Sequence, residues 1–134
     1  MVKPTKLFWK AGKHVLRYLS GTLGYGLWYR QEDGAKLSSF TDADWAGSPT
    51  NHKSTSGGIF IIGSIAVSWY IRKQRSMALS SAEAEYMAAS LAACEAIWMR
   101  KILFGLFGSH LEPTVIYCDN QSCIKISAKS CDLL

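Results

Sequence analysis

Three carboxylates of this chain occupy similar settings, each at the end or the head of a segment with a clear structural pattern. Asp42 follows residues 37–41, Glu85 lies near the start of a long helical pattern, and Asp119 follows the short apolar run 114–118. Hard divalent cations prefer carboxylate oxygens, and two such ions about 3.5–4 Å apart can hold the attacking and leaving oxygens of a phosphate. The three positions therefore indicate metal-dependent phosphodiester chemistry.

Composition limits the class of protein. The chain has 134 residues, of which 49% are hydrophobic and 12% aromatic, enough to bury a core and too apolar for general disorder. Its 15 Lys and Arg exceed its 10 Asp and Glu, which favours a polyanionic partner. No apolar run reaches the roughly 18 residues of a membrane span, and the N-terminal segment lacks the apolar core of a signal peptide. We expect a cytoplasmic or nuclear protein that is neither secreted nor membrane-bound.

The cysteines give no metal-finger or disulfide signal. No Cys-x-x-Cys pair occurs, and no cysteine has zinc-finger spacing to a histidine. We therefore expect buried, reduced thiols without a disulfide partner, and no zinc site, for Cys94, Cys118, Cys123 and Cys131.

The first half of the chain reads as a helix followed by strands. Apolar residues recur at helical spacing over residues 5–19, Pro4 suits the first turn, and Gly21 ends the helix. Residues 23–30 read as a short strand, and Asp33-Gly34 reads as a turn. We expect Trp28 in the core.

An antiparallel meander of three strands is predicted next. The strand 37–41 delivers Asp42, and a polar loop leads to a hairpin with strands 58–62 and 65–71 around Gly63-Ser64.

A long helix is predicted from Ser80, which forms a capping-box pattern with Glu83, to about residue 106. Glu85 shares its face with alanines that let the backbone approach a sheet closely, whereas Glu83 lies on nearly the opposite face. Periodicity therefore selects Glu85 as the carboxylate aimed at the strand ends. The alanines are Ala88, Ala89, Ala92, Ala93 and Ala96. A second apolar stripe, predicted to pack against another helix, comprises Met87, Leu91, Cys94 and Trp98. We expect Trp98 in the core.

The last predicted elements are a strand over residues 114–118 and a helix over 120–128. A strand that is reached through a helix should join the meander in parallel, by a right-handed crossover. Asp119 then emerges at the same edge of the sheet as Asp42.

A series of motifs in one order resembles the ribonuclease H domain of copia-type LTR retrotransposon Pol polyproteins, nearly from end to end. They are His14-Val15-Leu16-Arg17-Tyr18-Leu19 with Gly21-Thr22, Asp42-Ala43-Asp44-Trp45-Ala46-Gly47, Lys53-Ser54-Thr55-Ser56-Gly57, Val67-Ser68-Trp69, Lys73-Gln74, Ala78-Leu79-Ser80-Ser81, Glu83-Ala84-Glu85-Tyr86 and Cys118-Asp119-Asn120-Gln121-Ser122. The number of motifs and their shared order make the resemblance specific.

The resemblance implies an α/β fold, a ribonuclease H-like mixed sheet with packed helices, in which a parallel strand joins the antiparallel meander. It implies cleavage of the RNA strand of an RNA–DNA hybrid with two Mg²⁺ ions, for which Mn²⁺ can substitute. Asp42, Glu85 and Asp119 take the places of the first three catalytic, metal-binding carboxylates. The motif aligns through Thr41-Asp42, so Asp44 is interpreted as a turn residue.

Two departures from the family concern the ends of the chain. The family continues into a last strand and helix with a fourth acidic ligand, and Asp132 is in the wrong setting to replace it. Residues 1–22 resemble the segment that joins reverse transcriptase to ribonuclease H, so reverse transcriptase is an expected partner within the ancestral polyprotein. We expect a connecting helix over 1–22 and a C-terminally incomplete ribonuclease H-like domain over 23–134.

Contacts with the nucleic acid are predicted mainly at the basic run Arg72-Lys73-Gln74-Arg75. Hybrid duplexes are recognised through backbone and 2′-hydroxyl contacts, so little base specificity is expected. Without the family resemblance, simple solvation is the favoured interpretation of a charged loop that follows a strand. The other predicted contacts are Lys53, Ser54, Thr55, Asn120 and Gln121.

Three functional alternatives stay open at this point. The retained carboxylates favour an active ribonuclease, and the missing fourth ligand favours a folded nucleic-acid-binding module without activity. The third alternative is a nonfunctional relic or a host-used interaction protein.

Overall fold

The computed structural model describes residues 5–30, 36–48, 50–108 and 112–131. The chain divides into two compact units, residues 1–30 and residues 31–134. Predicted features at Pro4, Asp33-Gly34 and Asp132 lie outside the described residues, and the domain boundary after residue 22 stays a prediction.

The first unit contains one helix, α1 (Lys6–Gly21). The Thr5 side chain caps it by accepting a hydrogen bond from the Phe8 N–H, as expected for a threonine at this position. The helix begins and ends close to its predicted limits. The predicted strand over residues 23–30 is wrong, because these residues form a turn and irregular structure rather than a strand. Trp28 is 84% exposed, so its predicted place in the core is also wrong.

The second unit is built on a four-stranded mixed sheet in the order β3-β2-β1-β4. Its strands are β1 (Leu37–Asp44), β2 (Thr55–Ile62), β3 (Ile65–Lys73) and β4 (Val115–Tyr117). The first three form the predicted antiparallel meander, and β4 pairs with β1 in parallel. The predicted α/β architecture with one parallel strand is confirmed.

The strands of the meander are longer than predicted. β1 continues to Asp44, because Asp42 pairs with Gly57 and Asp44 pairs with Thr55 across the ladder. Asp42 therefore lies inside β1, and the prediction that the strand ends before it is wrong. Polar residues are tolerated there because their side chains alternate onto the exposed face.

The long helix α2 (Ser81–Phe107) packs on the sheet through its small residues. Ser80 caps it as predicted, since its Oγ accepts the Glu83 N–H at 3.2 Å, and the Glu83 carboxylate accepts the Leu79 N–H at 2.7 Å. Gly108, in the left-handed conformation, ends the helix. The buried residues of α2 are Ala84, Glu85, Ala88, Ala92 and Ala96.

The core lies between α2 and one face of the sheet, where Leu37 and Phe60 pack against Ala96. Side chains of the opposite face are more open, as alternation along a strand requires: Trp69 is 67% exposed and Ile71 is 81% exposed.

The last helix, α3 (Gln121–Cys131), packs against α2. It has 11 residues against the 27 of α2, so it spans less than half of that helix. Cys94 and Trp98 of the second apolar stripe are consequently exposed, so the predictions of a buried Cys94 thiol and of Trp98 as a core residue are both wrong. None of the helices in the described part of the chain combines the length and the apolar character that a membrane span requires.

Candidate metal centre

Asp42 and Glu85 approach each other at one backbone amide. The Ala43 N–H donates to Asp42 Oδ1 at 2.8 Å and to Glu85 Oε1 at 3.2 Å. Asp42 reaches this point from β1, and Glu85 reaches it from the first turns of α2 because the alanine face of the helix lies on the sheet. Asp42 is exposed, whereas Glu85 is only 6% exposed.

Asp119 joins them from the end of β4. Because β4 runs parallel to β1, the carboxyl ends of the two strands meet at the same edge of the sheet. One ligand atom from each of Glu85, Asp119 and Cys118 lies within 4.8 Å of the others. Asp42 does not belong to this group and is connected to Glu85 through the shared Ala43 amide. The structure therefore places Asp119 beside Glu85, and Asp42 next to Glu85 on its other side.

Sequence reasoning missed Cys118. Its Sγ lies 3.9 Å from Glu85 Oε2, inside the cluster of carboxylates rather than in the apolar core. The one available signal was its position directly before Asp119, at the end of the strand that delivers that carboxylate. Cys94, Cys118 and Cys123 are free thiols, and burial raises the pKa of Cys123 to about 11, so that thiol stays protonated at neutral pH.

The electrostatics of the cluster disfavour a full set of negative charges. Burial raises the pKa of Glu85, the hydrogen bond from Ala43 opposes that shift, and the negative charges of Asp42 and Asp119 raise the pKa further. Both charged neighbours that act on Glu85 are thus carboxylates. A divalent cation between these groups would remove the repulsion, and three carboxylates form the oxygen donor set that Mg²⁺ or Mn²⁺ requires. The residues present therefore fit such an ion.

Two further acidic residues near the cluster have other tasks. Glu83 completes the helix cap described above. The Asp44 carboxylate folds against the turn at Gly47, where an added Cβ would lie only 1.9 Å from Asp44 Oδ2. Glu83 and Asp44 thus make contacts of their own, but Asp44 is the last residue of β1, so its interpretation as a turn residue is wrong.

The predicted basic patch divides between the two faces of the sheet. Arg72 lies on the helix side and pairs with Glu95 at 2.9 Å, which neutralises its charge. Lys73 is two residues from Ile71, which lies across β2 from Asp42, so Lys73 shares the face of Asp42. Its Nζ donates to Ser48 Oγ at 2.8 Å.

Lys53 and Arg75 lie at the same end of the sheet, where the Lys53 ammonium donates to the Arg75 carbonyl. Both residues stay predicted contacts, as does Thr55, the first residue of β2.

Ser54 and Gln74 have structural contacts that their sequence context did not indicate. Ser54 is fully buried, and its Oγ accepts the Ala46 N–H at 3.1 Å. Gln74 is 7% exposed, and its Nε2 donates to Ser56 Oγ and to the Ala84 carbonyl, both at 2.9 Å. A phosphate could reach these two side chains only if they became exposed.

The predicted contacts beside Asp119 lie at the start of α3. Asn120 accepts the Cys123 N–H at 3.0 Å and so caps the helix, whereas Gln121 is exposed. Both stay predictions as nucleic-acid ligands.

A shallow groove on the open face of the sheet leads to Asp42. Gly57 forms part of its floor, and Phe40 and Trp69 contribute aromatic side chains. Phe40 also stacks on Tyr117, with ring centroids 4.7 Å apart. A large ligand can therefore approach the carboxylates from this side.

Comparison with known proteins places the chain among transposon sequences. It is 43% identical over 127 residues to the retrovirus-related Pol polyprotein from transposon TNT 1-94 of Nicotiana tabacum, covering 95% of this chain and 9% of that protein. It is 39% identical over 120 residues to the Pol polyprotein from transposon RE2 of Arabidopsis thaliana, covering 90% of this chain and 8% of that protein. The chain thus spans less than a tenth of these two relatives.

A shorter relative is matched over most of its length. The secreted RxLR effector protein 161 of Plasmopara viticola is 49% identical over 96 residues, which are 72% of this chain and 68% of the effector. No family model and no solved structure matches the chain. The chain belongs to the same sequence family as this effector protein, and it is homologous to a short segment of the retrovirus-related Pol polyproteins of plant transposons.

Proposed function

We propose that the chain is a ribonuclease H-type domain that cleaves the RNA strand of RNA–DNA hybrids by two-metal hydrolysis. The observation that carries this proposal is the position of Glu85, which lies beside Asp119 and shares the Ala43 amide with Asp42. The mixed sheet and the relationship to Pol polyproteins support it.

Asp42, Glu85 and Asp119 are the residues that would hold two Mg²⁺ ions. The chemistry that these ions would supply is activation of a water for in-line attack and neutralisation of charge on the leaving oxygen. The Ala43 N–H holds Asp42 and Glu85 in fixed positions by donating to both carboxylates. The packing of α2 on the sheet keeps Glu85 buried, which restricts its motion and excludes water from one side of the site.

The hybrid would lie across the end of the sheet that carries Asp42 and the basic residues. Lys73 shares the face of Asp42 and forms its hydrogen bond with a serine hydroxyl, so its charge is available to a phosphate. Arg72, in contrast, forms an ion pair with Glu95. Lys73, with Lys53 and Arg75 nearby, is therefore a better candidate than Arg72 for following the backbone of the duplex.

The test is release of fragments from an RNA–DNA hybrid labelled on its RNA strand, with Mg²⁺, with Mn²⁺ and with a chelator. We expect cleavage only with a divalent cation. Asp42→Asn should abolish it, and Asp44→Asn is a matched control that should retain it, because Asp44 is turned towards Gly47.

Two outcomes would contradict the proposal. Binding of the hybrid without cleavage by the unmodified chain would favour the inactive binding module. Equal loss of cleavage in both aspartate variants would remove the special role of Asp42.

A further inference from the structure

The Cys118 thiol lies where the proposed ribonuclease needs only oxygen ligands. Its Sγ belongs to the group of ligand atoms within 4.8 Å of one another, together with oxygens of Glu85 and Asp119. The same Sγ faces Glu85 Oε2 at 3.9 Å, which is long for a hydrogen bond. The contact therefore leaves a buried carboxylate oxygen and a thiol side by side without a strong bond between them.

Sulfur changes which cation such a site prefers. Mg²⁺ takes oxygen ligands, whereas Zn²⁺ and Co²⁺ bind thiolate, carboxylate and imidazole and follow the Irving–Williams order of affinity. A Zn²⁺ ion accepts four ligands in tetrahedral geometry, at about 2.3 Å from sulfur and about 2.0–2.2 Å from carboxylate oxygen. Cys118, Glu85 and Asp119 provide three ligands of the right kinds, and Asp42 meets Glu85 at the Ala43 amide.

We propose that Cys118 is a sulfur ligand of this site and that the site binds a thiophilic divalent cation, Zn²⁺, more tightly than Mg²⁺. The inference rests on the proposed function, since it concerns the same carboxylates. It adds the class of metal ion that competes with Mg²⁺ for them. Binding converts the thiol to a metal-bound thiolate, and the released proton passes to the solvent. Zn²⁺ then displaces Mg²⁺ and limits hydrolysis.

Cobalt provides the direct test, because Co²⁺ follows zinc in ligand choice and shows a near-ultraviolet charge-transfer band when it is bound by thiolate. We expect this band in the unmodified protein and its loss in Cys118→Ser. Cys94→Ser is the matched control and should keep the band, since Cys94 is exposed and lies nine residues further along α2, about 13 Å from Glu85.

Affinities measured by competition with a zinc indicator extend the test. Cys118→Ser should weaken Zn²⁺ binding about 100-fold or more, because loss of a residue that only hydrogen-bonds to a metal ligand already lowers metal affinity about 10–100-fold. Its Mg²⁺ affinity should change by less than about threefold, since Mg²⁺ takes only oxygen ligands there. Unchanged Zn²⁺ affinity in Cys118→Ser would overturn the inference.

A measurement on the unmodified protein keeps the test independent of the variant's folding. Zn²⁺ should protect Cys118 from alkylation, as mapped by mass spectrometry of peptides, and Mg²⁺ should not, whereas Cys94 should react equally in both. Alkylation of Cys118 at the same rate with and without Zn²⁺ would also refute the inference.

These readouts separate the inference from the proposed function. A cobalt–thiolate band that depends on Cys118, in a protein without hybrid cleavage, supports the inference and contradicts the ribonuclease. Magnesium-dependent cleavage without such a band supports the ribonuclease and overturns the inference.

Discussion

Gln74 provides the sharpest test of how the site is held together. Its side chain connects the end of β3 to Ser56 of β2 and to the Ala84 carbonyl of α2, directly before Glu85. Gln74→Met keeps the length and approximate volume of the side chain and removes both hydrogen bonds. We expect the variant to be less stable and to hold the first turns of α2 less firmly.

The expected loss of stability in Gln74→Met follows from the two lost hydrogen bonds and from one opposing effect. Each hydrogen bond contributes about 0.5–1.5 kcal/mol net, so that their loss costs about 1–3 kcal/mol. Gln74 Oε1 is buried without a hydrogen-bond partner, and its removal recovers part of that cost. The net loss should be about 1–2 kcal/mol, and each kcal/mol lowers the Tm of a domain of this size by about 4 °C.

Urea unfolding and thermal melting measure this loss, with Gln121→Met as the control because Gln121 is exposed at the start of α3. The control should stay within about 0.5 kcal/mol of the unmodified protein. A Gln74→Met variant as stable as this control would refute the reasoning. Unchanged stability together with weaker hybrid binding would instead identify Gln74 as a phosphate ligand.

Three further predictions concern packing, charge and binding. Gly58→Ala should cost about 1–3 kcal/mol in urea unfolding, because its Cβ would lie 2.5 Å from Tyr70 Cζ, whereas Gly57→Ala, whose nearest contact is 3.9 Å away, should be tolerated. Folding raises the pKa of Glu85, so its contribution to stability is present below the ordinary carboxyl pKa and is lost as pH rises through the folded-state pKa. With a chelator present, Glu85→Gln should remove this pH-dependent part of the stability, and an identical pH profile in the variant would contradict the prediction. Replacing Lys73 and Arg75 by alanine should reduce the slope of log affinity for the hybrid against log salt by about 0.7–0.9 per lost phosphate contact, and an unchanged slope would leave both as solvated residues.

Much of the fold was predictable because its signals are local. The Ser80 cap depends on residues three positions apart, and the orientation of Glu85 follows from the spacing of alanines on one helix. The parallel pairing of β4 follows from the crossover through α2, and it places Asp119 at the edge that carries Asp42. Each of these inferences needs only near neighbours in the chain or a general rule of connection.

The sequence by itself thus determined the elements of the second unit and the three carboxylates, whereas tertiary contacts decided the finer composition of the site. Cys118 lies among these carboxylates, Gln74 is buried under α2, and Arg72 pairs with Glu95. The pairs Cys118–Glu85, Gln74–Ala84 and Arg72–Glu95 are each 10 or more residues apart, so these contacts depend on strand register and on the exact position of the helix. Residues 23–30 have strand-like composition but form no strand, and composition alone does not decide whether a segment joins a sheet.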